Sequence, residues 1–467
     1  MYLPHWPIPS TLGNRKIDYE AVFERMGEAL EKLGNPHRKL PPVIHIAGTN
    51  GKGSTAALIA EIFTQAGKKV HLYTSPHLHD CNERIVLCGE KISDNFLFEV
   101  MEEARIASNG VDLTFMEGFT VGAFLAFSKI PADILVLETG MGGRIDATNI
   151  VEKKLATVIT PISFDHMEYL GNSIERIALE KAMIMRPQTP LIVASQPSRA
   201  KEIIKILAAD QKISGYFFDE DFAVEIDEKD GEFGDGFNFY CNNFSLTNLP
   251  KPVLAGDHQY INFATAIATI IAISNEEEVI KAIPRAIKSV KWPSRLEKIS
   301  NSLTKILPPE SELWIDGAHN EGGAFALAKW ISNQPKKINP HVKSSCGSGI
   351  SERLGATNVA LPKAKKNFCV VGFSKNKCKP KFLEKFKNVA ELVAVRVNGE
   401  PNPEDPQIIS QIGEEIGMKI PAFSDLLDAL EHIAKTAKEP CRVVICGSLH
   451  LARDVRQATK SPYLLRF

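Results

Sequence analysis

Apolar runs punctuate the chain at 43–47, 70–74, 134–138, 155–160 and 191–194, and stretches rich in Ala, Glu and Leu at helical spacing separate several of them, at 94–107, 120–128 and 174–185. An earlier helical stretch covers 19–33. Short runs with no polar alternation suit strands buried on both faces, and strands that alternate with helices pair in parallel. The pattern therefore predicts a mostly parallel sheet with helices on each side. Between 215 and 249 it changes to short aromatic runs, Tyr216-Phe217-Phe218 and Phe237-Asn238-Phe239-Tyr240, broken by Gly and Asp, which predicts a small antiparallel excursion. The almost wholly apolar 261–273 reads as a buried helix, and Trp292-Pro293-Ser294-Arg295-Leu296 breaks helical periodicity where a hinge would fit. A domain boundary is expected near residue 297. Beyond it the alternation repeats on a smaller scale, with runs at 313–315, 368–373, 392–397 and 443–446 and helices near 322–332 and 424–437.

Composition narrows the partners. With 55 basic and 56 acidic side chains among 467 residues, the chain has no global field to gather nucleic acid or anionic lipid, so anion binding must be local and a small-molecule substrate is expected. Eight cysteines include no C-x-x-C pair, which fits reduced thiols and a cytoplasmic location. The longest apolar helical run, 263–273, falls short of the ~20 residues that span a bilayer, and no signal segment opens the chain, so neither membrane insertion nor export is expected. The segment 335–367 carries seven Lys or Arg against one Glu and few large apolar groups, which predicts an exposed polar insertion.

The chemistry gathers at the ends of the apolar runs. Gly48-Thr49-Asn50-Gly51-Lys52-Gly53-Ser54 lies between a strand-like run and a helix-like stretch, the order in which glycines let backbone N–H groups converge on phosphate while a lysine adds mobile charge. It departs from G-x-x-x-x-G-K-[ST], because Gly53 follows Lys52 and the hydroxyl arrives at Ser54. Ser75-Pro76-His77 ends the second run, on the edge of a parallel sheet where ligands bind. Glu138 ends the third, where a carboxylate is costly unless paired or metal-bound: it is a Mg²⁺ ligand or reaction-site group on one reading, a salt-bridge partner on the other. Asp146 closes a Gly-rich turn that could approach a ligand, or simply caps that turn. His166 is open in the same way, a site group or a hydrogen-bonded structural histidine. Lys181, fifteen residues on, repels metal when protonated but offers a carboxylate oxygen if carbamylated. Asp316-Gly317-Ala318-His319-Asn320 precedes a later helix, and Arg295 sits at the hinge. No serine or cysteine has the setting of an activated nucleophile.

As a set, GTNGKGS, the TSPHL at 74–78 with Glu83-Arg84-Ile85, ETGMGGRIDATNI at 138–150, Asp165-His166, Trp292-Pro293-x-Arg295-Leu296-Glu297 and DGAHN resemble the folylpolyglutamate synthase/dihydrofolate synthase branch of the Mur-ligase-like superfamily over nearly the whole chain. The resemblance implies an α/β fold: a P-loop, mostly parallel sheet domain over 1–297 and a smaller Rossmann-like α/β domain over 298–467. It implies ATP and Mg²⁺ as cofactors, pteroate or folate and L-glutamate as substrates, and an acyl-phosphate route to an amide. Residues 48–54, Asn262, Arg295, Asp316 and His319 would contact ATP. Ser75, Glu138, His166 and carbamylated Lys181 would serve the metal, and Ser75, Pro76, His77, Arg84, Asp146, Ala147 and Thr148 would border the acceptor. Lys52, Glu138, His166, Lys181 and His319 would form the catalytic set. Departures fall at Met183, at Asn376-Lys377-Cys378 in place of D-K-D, and at Glu321 in place of proline. The alternatives are a cell-wall Mur ligase or a non-catalytic homologue. A monomer is expected.

Overall fold

The computed structural model describes residues 20–229, 232–300, 302–333, 366–375, 377–398, 400 and 402–457. The chain divides into two compact units, Met1–Leu296 with Asn320–Gly322, and Glu297–His319 with Gly323–Phe467. In the first, eight strands form one sheet: β1 (Val43–Ala47), β2 (Val70–Tyr73), β3 (Ile85–Leu87), β4 (Glu90–Lys91), β5 (Ile134–Glu138), β6 (Ala156–Ile159), β7 (Leu191–Val193) and β8 (Gly215–Phe217). Their order in space is β4-β3-β2-β5-β1-β6-β7-β8, and only β3 runs antiparallel, to both β2 and β4. β1 thus lies between β5 and β6, and the loops after all three open on one edge of the sheet.

Both faces of β1 and β5 are covered. Ile44, Ile46 and Val136 pack with Leu58, Ile62, Phe263 and Ile283 on one face, whereas Val43, Leu135 and Leu137 pack with Phe119 and Phe124 on the other. Side chains alternate across a strand, so a strand with apolar residues on both faces fills two cores at once. The helix Lys52–Gln65 leaves the phosphate loop into the first of these cores, and its ten buried residues explain why it lacks an apolar stripe and is apolar all round.

Two details depart from expectation. Tyr216-Phe217-Phe218 does not open the antiparallel excursion: Gly215–Phe217 is the edge strand β8, parallel to β7, because Phe217 is needed against Ile192's neighbours Leu191 and Val193. The excursion itself starts at β9 (Phe222–Lys229) and continues through β10 (Glu232–Cys241) and β11 (Phe244–Pro250), a separate three-stranded sheet. At the opposite edge, β3 and β4 form a hairpin whose two turn residues, Cys88 and Gly89, both have positive φ, at 50° and 90°. That is the twist a two-residue hairpin needs.

The second unit is a smaller α/β sheet of β12 (Glu297–Ile299), β13 (Glu312–Ile315), β14 (Lys366–Val371), β15 (Glu391–Val395), β16 (Ala422–Phe423) and β17 (Cys441–Cys446), ordered β12-β13-β17-β14-β15-β16. Only β12 runs antiparallel. Leu426, Leu427, Leu430 and Ile433, one stripe of the helix Leu426–Ala437, pack onto it beside Val443 and Ile445. The polar insertion expected near 335–367 lies outside the described residues apart from 366–367, which begin β14; Asn376 lies outside them too. Among the described residues no helix is long and apolar enough to cross a membrane.

Candidate active site

At the end of β1 the backbone must turn into a helix within five residues, and glycine alone permits the path taken. Gly48 has φ +153°, and a Cβ there would lie 1.9 Å from Thr160 Oγ1; Gly51 has φ +84°, and a Cβ there would lie 2.2 Å from Asn262 Oδ1. Added bulk at Gly53 would press on the Trp292 ring at 2.7 Å. Thr49 and Asn50 donate their backbone N–H groups to Pro161 O, and Thr49 Oγ1 and Asn50 Nδ2 bond Ser163, so the loop is moored to the segment after β6. Lys52 opens the helix, whose N-terminus with its unpaired amides and positive dipole end faces the loop. This is an anion cradle.

Three ionisable groups converge on it. Lys52 Nζ donates to Gly48 O at 3.2 Å and stands 3.9 Å from Glu138 Oε1. Lys181 Nζ donates to the same Gly48 carbonyl at 2.9 Å, brought there by the helix Ile174–Ala182. Burial lowers the Lys181 ammonium to about 7, helped by the neighbouring Lys52 charge and opposed by Asp165, so the amine exists substantially neutral. Glu138, 3 % exposed at the end of β5, is pushed up to about 7 by burial, which outweighs the Lys52 charge and the N–H of Ser75. A buried carboxylate this poorly compensated calls for added positive charge.

Ser75, at the end of β2, donates its N–H to Glu138 Oε2 at 3.4 Å, and its own Oγ is buried without a hydrogen-bond partner. Thr55 Oγ1 and Thr139 Oγ1 are orphaned in the same way. Among the described residues no three His, Cys, Asp or Glu side chains form a metal cluster. A hard divalent cation would instead meet one carboxylate and one hydroxyl here, with phosphate and water completing its shell, the donor set that suits Mg²⁺. His166 follows β6 with φ +47°, half-buried, its Nε2 3.8 Å from Asp165 Oδ1.

The 140–149 turn is built differently. Asp146 Oδ2 accepts from Met141 N at 2.9 Å, and its Oδ1 accepts from Thr148 N at 3.0 Å and Thr148 Oγ1 at 2.5 Å, so the carboxylate is spent on shaping the turn. The bare face of Gly140 lets Asp146 and Ser75 come near one another, with an added Cβ 3.4 Å from Asp146 Oδ2 and 3.8 Å from Ser75 Oγ. Ala147 begins the short helix Ala147–Ile150. Pro76 lies beside Ser75, and His77 Nδ1 accepts from Arg84 Nε at 2.8 Å. The Arg84 guanidinium is buried, which lowers its pKa, and lies 5.7 Å from the Phe119 ring centre. Asn262 Nδ2 donates to Gln259 Oε1, leaving its oxygen against Gly51, and the Arg295 charge acts on Glu138. Asp316 and His319 belong to the second unit, where Asp316 Oδ1 accepts from Ala318 N at 2.8 Å and His319 Nδ1 bonds Gly317 O at 2.8 Å.

Sequence reasoning passed over a second layer. Asn149 Nδ2 donates to Arg144 O and Met183 O, and its Oδ1 accepts from Lys154 Nζ at 2.8 Å and Arg186 Nη2 at 2.9 Å. Lys154 also donates to Ile184 O and Arg186 to Met183 O and Met185 O, so two basic side chains satisfy the carbonyls just past the helix that carries Lys181. The readable signal was a pair of cations beside otherwise apolar segments. His45, fully buried in the middle of β1, was the other omission.

Known proteins resemble this chain over much of its length. Residues 46–270 match the Mur ligase middle domain. The chain is 34% identical over 333 residues to the dihydrofolate synthase/folylpolyglutamate synthase of Bacillus subtilis (strain 168), covering 69% of this chain and 74% of that one. Among solved structures, it is similar to E. coli FolC in complex with DHPP and ADP, with a TM-score of 0.77, 27% identity, and 97% and 96% of the two chains covered. It is likewise similar to a bifunctional folylpolyglutamate synthase/dihydrofolate synthase with Mn, AMPPNP and L-glutamate bound, with a TM-score of 0.76, 26% identity and 93% of each chain covered.

Proposed function

The chain belongs to the dihydrofolate synthase/folylpolyglutamate synthase family, whose reaction is ATP-dependent ligation of glutamate to dihydropteroate or folate, and we propose that the cradle at the end of β1 holds the ATP phosphates for it. The observation that carries this is the convergence of Lys52, Lys181, Glu138 and Ser75 around Gly48. The acceptor carboxylate attacks the γ-phosphorus, the bond to the β-phosphate oxygen breaks, and ADP leaves an acyl phosphate. The glutamate amine then attacks that carbonyl, phosphate departs, and the amine loses its proton to give the amide.

Both reactants of the first step are anionic, so positive charge has to be fixed between them. Lys52 and the helix N-terminus meet the phosphates, while Arg295 adds charge near Glu138. Ser75 and Glu138 would hold Mg²⁺, His166 a second ion, and the metal would neutralise phosphate and carboxylate charge where they meet; the Mn reported with the solved relative supports a divalent cation. The Lys181 amine, whose pKa burial lowers to about 7, suits addition of CO₂, R–NH₂ + CO₂ giving R–NH–COO⁻ and H⁺, which would turn a repelling ammonium into an anionic oxygen donor. Asn262 would contact the nucleotide beside Gly51. Ser75, Pro76, His77 and Arg84 with the Asp146, Ala147 and Thr148 turn form the acceptor wall, and Asp146 serves it by shaping the turn. The protein would act as a cytoplasmic monomer on small molecules, without nucleic acid.

The same wall would serve both acceptors, since each presents a pterin ring to anchor and a carboxylate to activate. Purified protein given ATP, Mg²⁺ and glutamate is expected to release ADP in a glutamate-dependent way with dihydropteroate and with reduced folate. Turnover of one acceptor alone would reject bifunctionality; turnover of neither would reject the assignment.

A further inference from the structure

His45 is the one polar residue in β1, whose other members are Val43, Ile44, Ile46 and Ala47, and it is wholly buried. An apolar side chain would fill that place without the desolvation an imidazole suffers, so its retention has to be sought in what it bonds. Its Nε2 lies 2.8 Å from Thr148 Oγ1. Thr148 Oγ1 donates its own proton to Asp146 Oδ1, so the hydroxyl receives the His45 proton, which fixes the ring as the Nε2–H tautomer. Nδ1 has no hydrogen-bond partner, so a proton placed there would be buried without an acceptor. Burial holds the ring well below the usual histidine range, and it is neutral. The chain of bonds then ends at Asp146 Oδ2, which accepts from Met141 N.

His45 stands three residues before Gly48, in the strand that delivers the phosphate loop. We propose that His45 is a positioning residue: through Thr148 and Asp146 it sets the register of the 140–149 turn against the phosphate loop, and so aligns the acceptor carboxylate with the γ-phosphate. This rests on the reading of Asp146, Ala147 and Thr148 as acceptor wall. Alignment of this kind is sensitive to shifts of about 1 Å, which can cost ~100-fold in rate.

The test is steady-state kinetics of three His45 variants with each substrate varied in turn. His45→Leu removes the donor and is expected to lower kcat/KM for the acceptor by roughly 10- to 100-fold, while KM for ATP stays within about twofold. His45→Gln places an amide N–H near the lost Nε2 and should recover most of the loss, whereas the shorter His45→Asn should not. A Leu variant that loses thermal stability but keeps acceptor kinetics, or a Gln variant no better than Asn, would overturn the proposal. Ring ¹⁵N chemical shifts of His45 in the parent protein give a readout independent of variant folding: the Nε2–H tautomer is expected, and Nδ1–H contradicts the relay. Asp146→Ala separates the two ideas. If it leaves acceptor KM unchanged, the wall reading fails; if it raises KM while His45→Leu does not, the relay alone fails.

Discussion

Two turns on the same sheet edge, 48–54 after β1 and 140–149 after β5, are held in shape by opposite means. The first is shaped by sterics: Gly48 and Gly51 take positive φ in places where a Cβ would collide with Thr160 or Asn262, while bonds from Thr49 and Asn50 moor the loop to the segment after β6. The second is polar: Asp146, Thr148 and Asn149 knit it together, backed by His45, Lys154 and Arg186. The difference follows from the ligands proposed for them. A phosphate is met by backbone N–H groups, which side chains would only obstruct. A flat organic acceptor needs a rigid wall, and rigidity in a loop comes from satisfied hydrogen bonds.

If that contrast holds, bulk should break the first turn and loss of polarity the second. The largest effect is expected from Gly51→Ala, or equally Gly48→Ala, where both φ and the close contacts forbid a side chain. ATP binding measured by calorimetry should disappear, and normal affinity would refute the steric account. Lys52→Ala removes the charge and the Nζ bond to Gly48 O but keeps the glycines that set the turn, so ligation should fall by at least about 100-fold with the thermal midpoint little changed. Near-parental turnover would exclude Lys52 from the phosphate site.

Lys154 tests the polar scaffold through pH. Burial lowers its folded pKa to about 6 from the ordinary 10.5, so between those values the unfolded chain holds a proton that the folded one does not. Stability from this group therefore rises with pH across that window and levels off below its lower end. Chemical denaturation of Lys154→Met should show a shallower rise between about pH 6.5 and 9 than the parent; equal slopes would mean that the lysine keeps its charge. The smallest effect belongs to Lys281, an exposed residue paired with Glu277 in an i,i+4 bridge. Lys281→Ala should leave the thermal midpoint and the kinetics indistinguishable from the parent's, and a clear drop in midpoint would show that the bridge stabilises the helix.

Much of the architecture was legible because buried strands announce themselves: β1, β5, β6 and β17 are short, mostly apolar runs, and the glycine turn after β1 carries its own signature. The strand β8 was not, because an aromatic triplet flanked by Gly and Asp looks alike whether it closes a parallel sheet or starts a hairpin. In the site, Lys52, Ser75 and Glu138 stand at or just past the ends of apolar runs, and Lys181 on a legible helix, where sequence can find them. His45, Lys154 and Arg186 serve through residues distant in sequence, His45 reaching Thr148 across 103 positions, and no local pattern encodes such a bond. Asp146 shows the reverse: a conspicuous residue whose carboxylate is occupied by its own turn.

The most direct test of the contrast pairs Gly51→Ala with Thr148→Val, a swap of nearly equal volume that deletes the hydroxyl shared by His45 and Asp146. ATP affinity should be measured without acceptor, and acceptor KM at saturating ATP. We expect Gly51→Ala to abolish nucleotide binding, and Thr148→Val to keep ATP affinity within about twofold while raising acceptor KM by about tenfold. A Thr148→Val protein that loses ATP affinity as much as acceptor affinity would contradict the separation of the two turns.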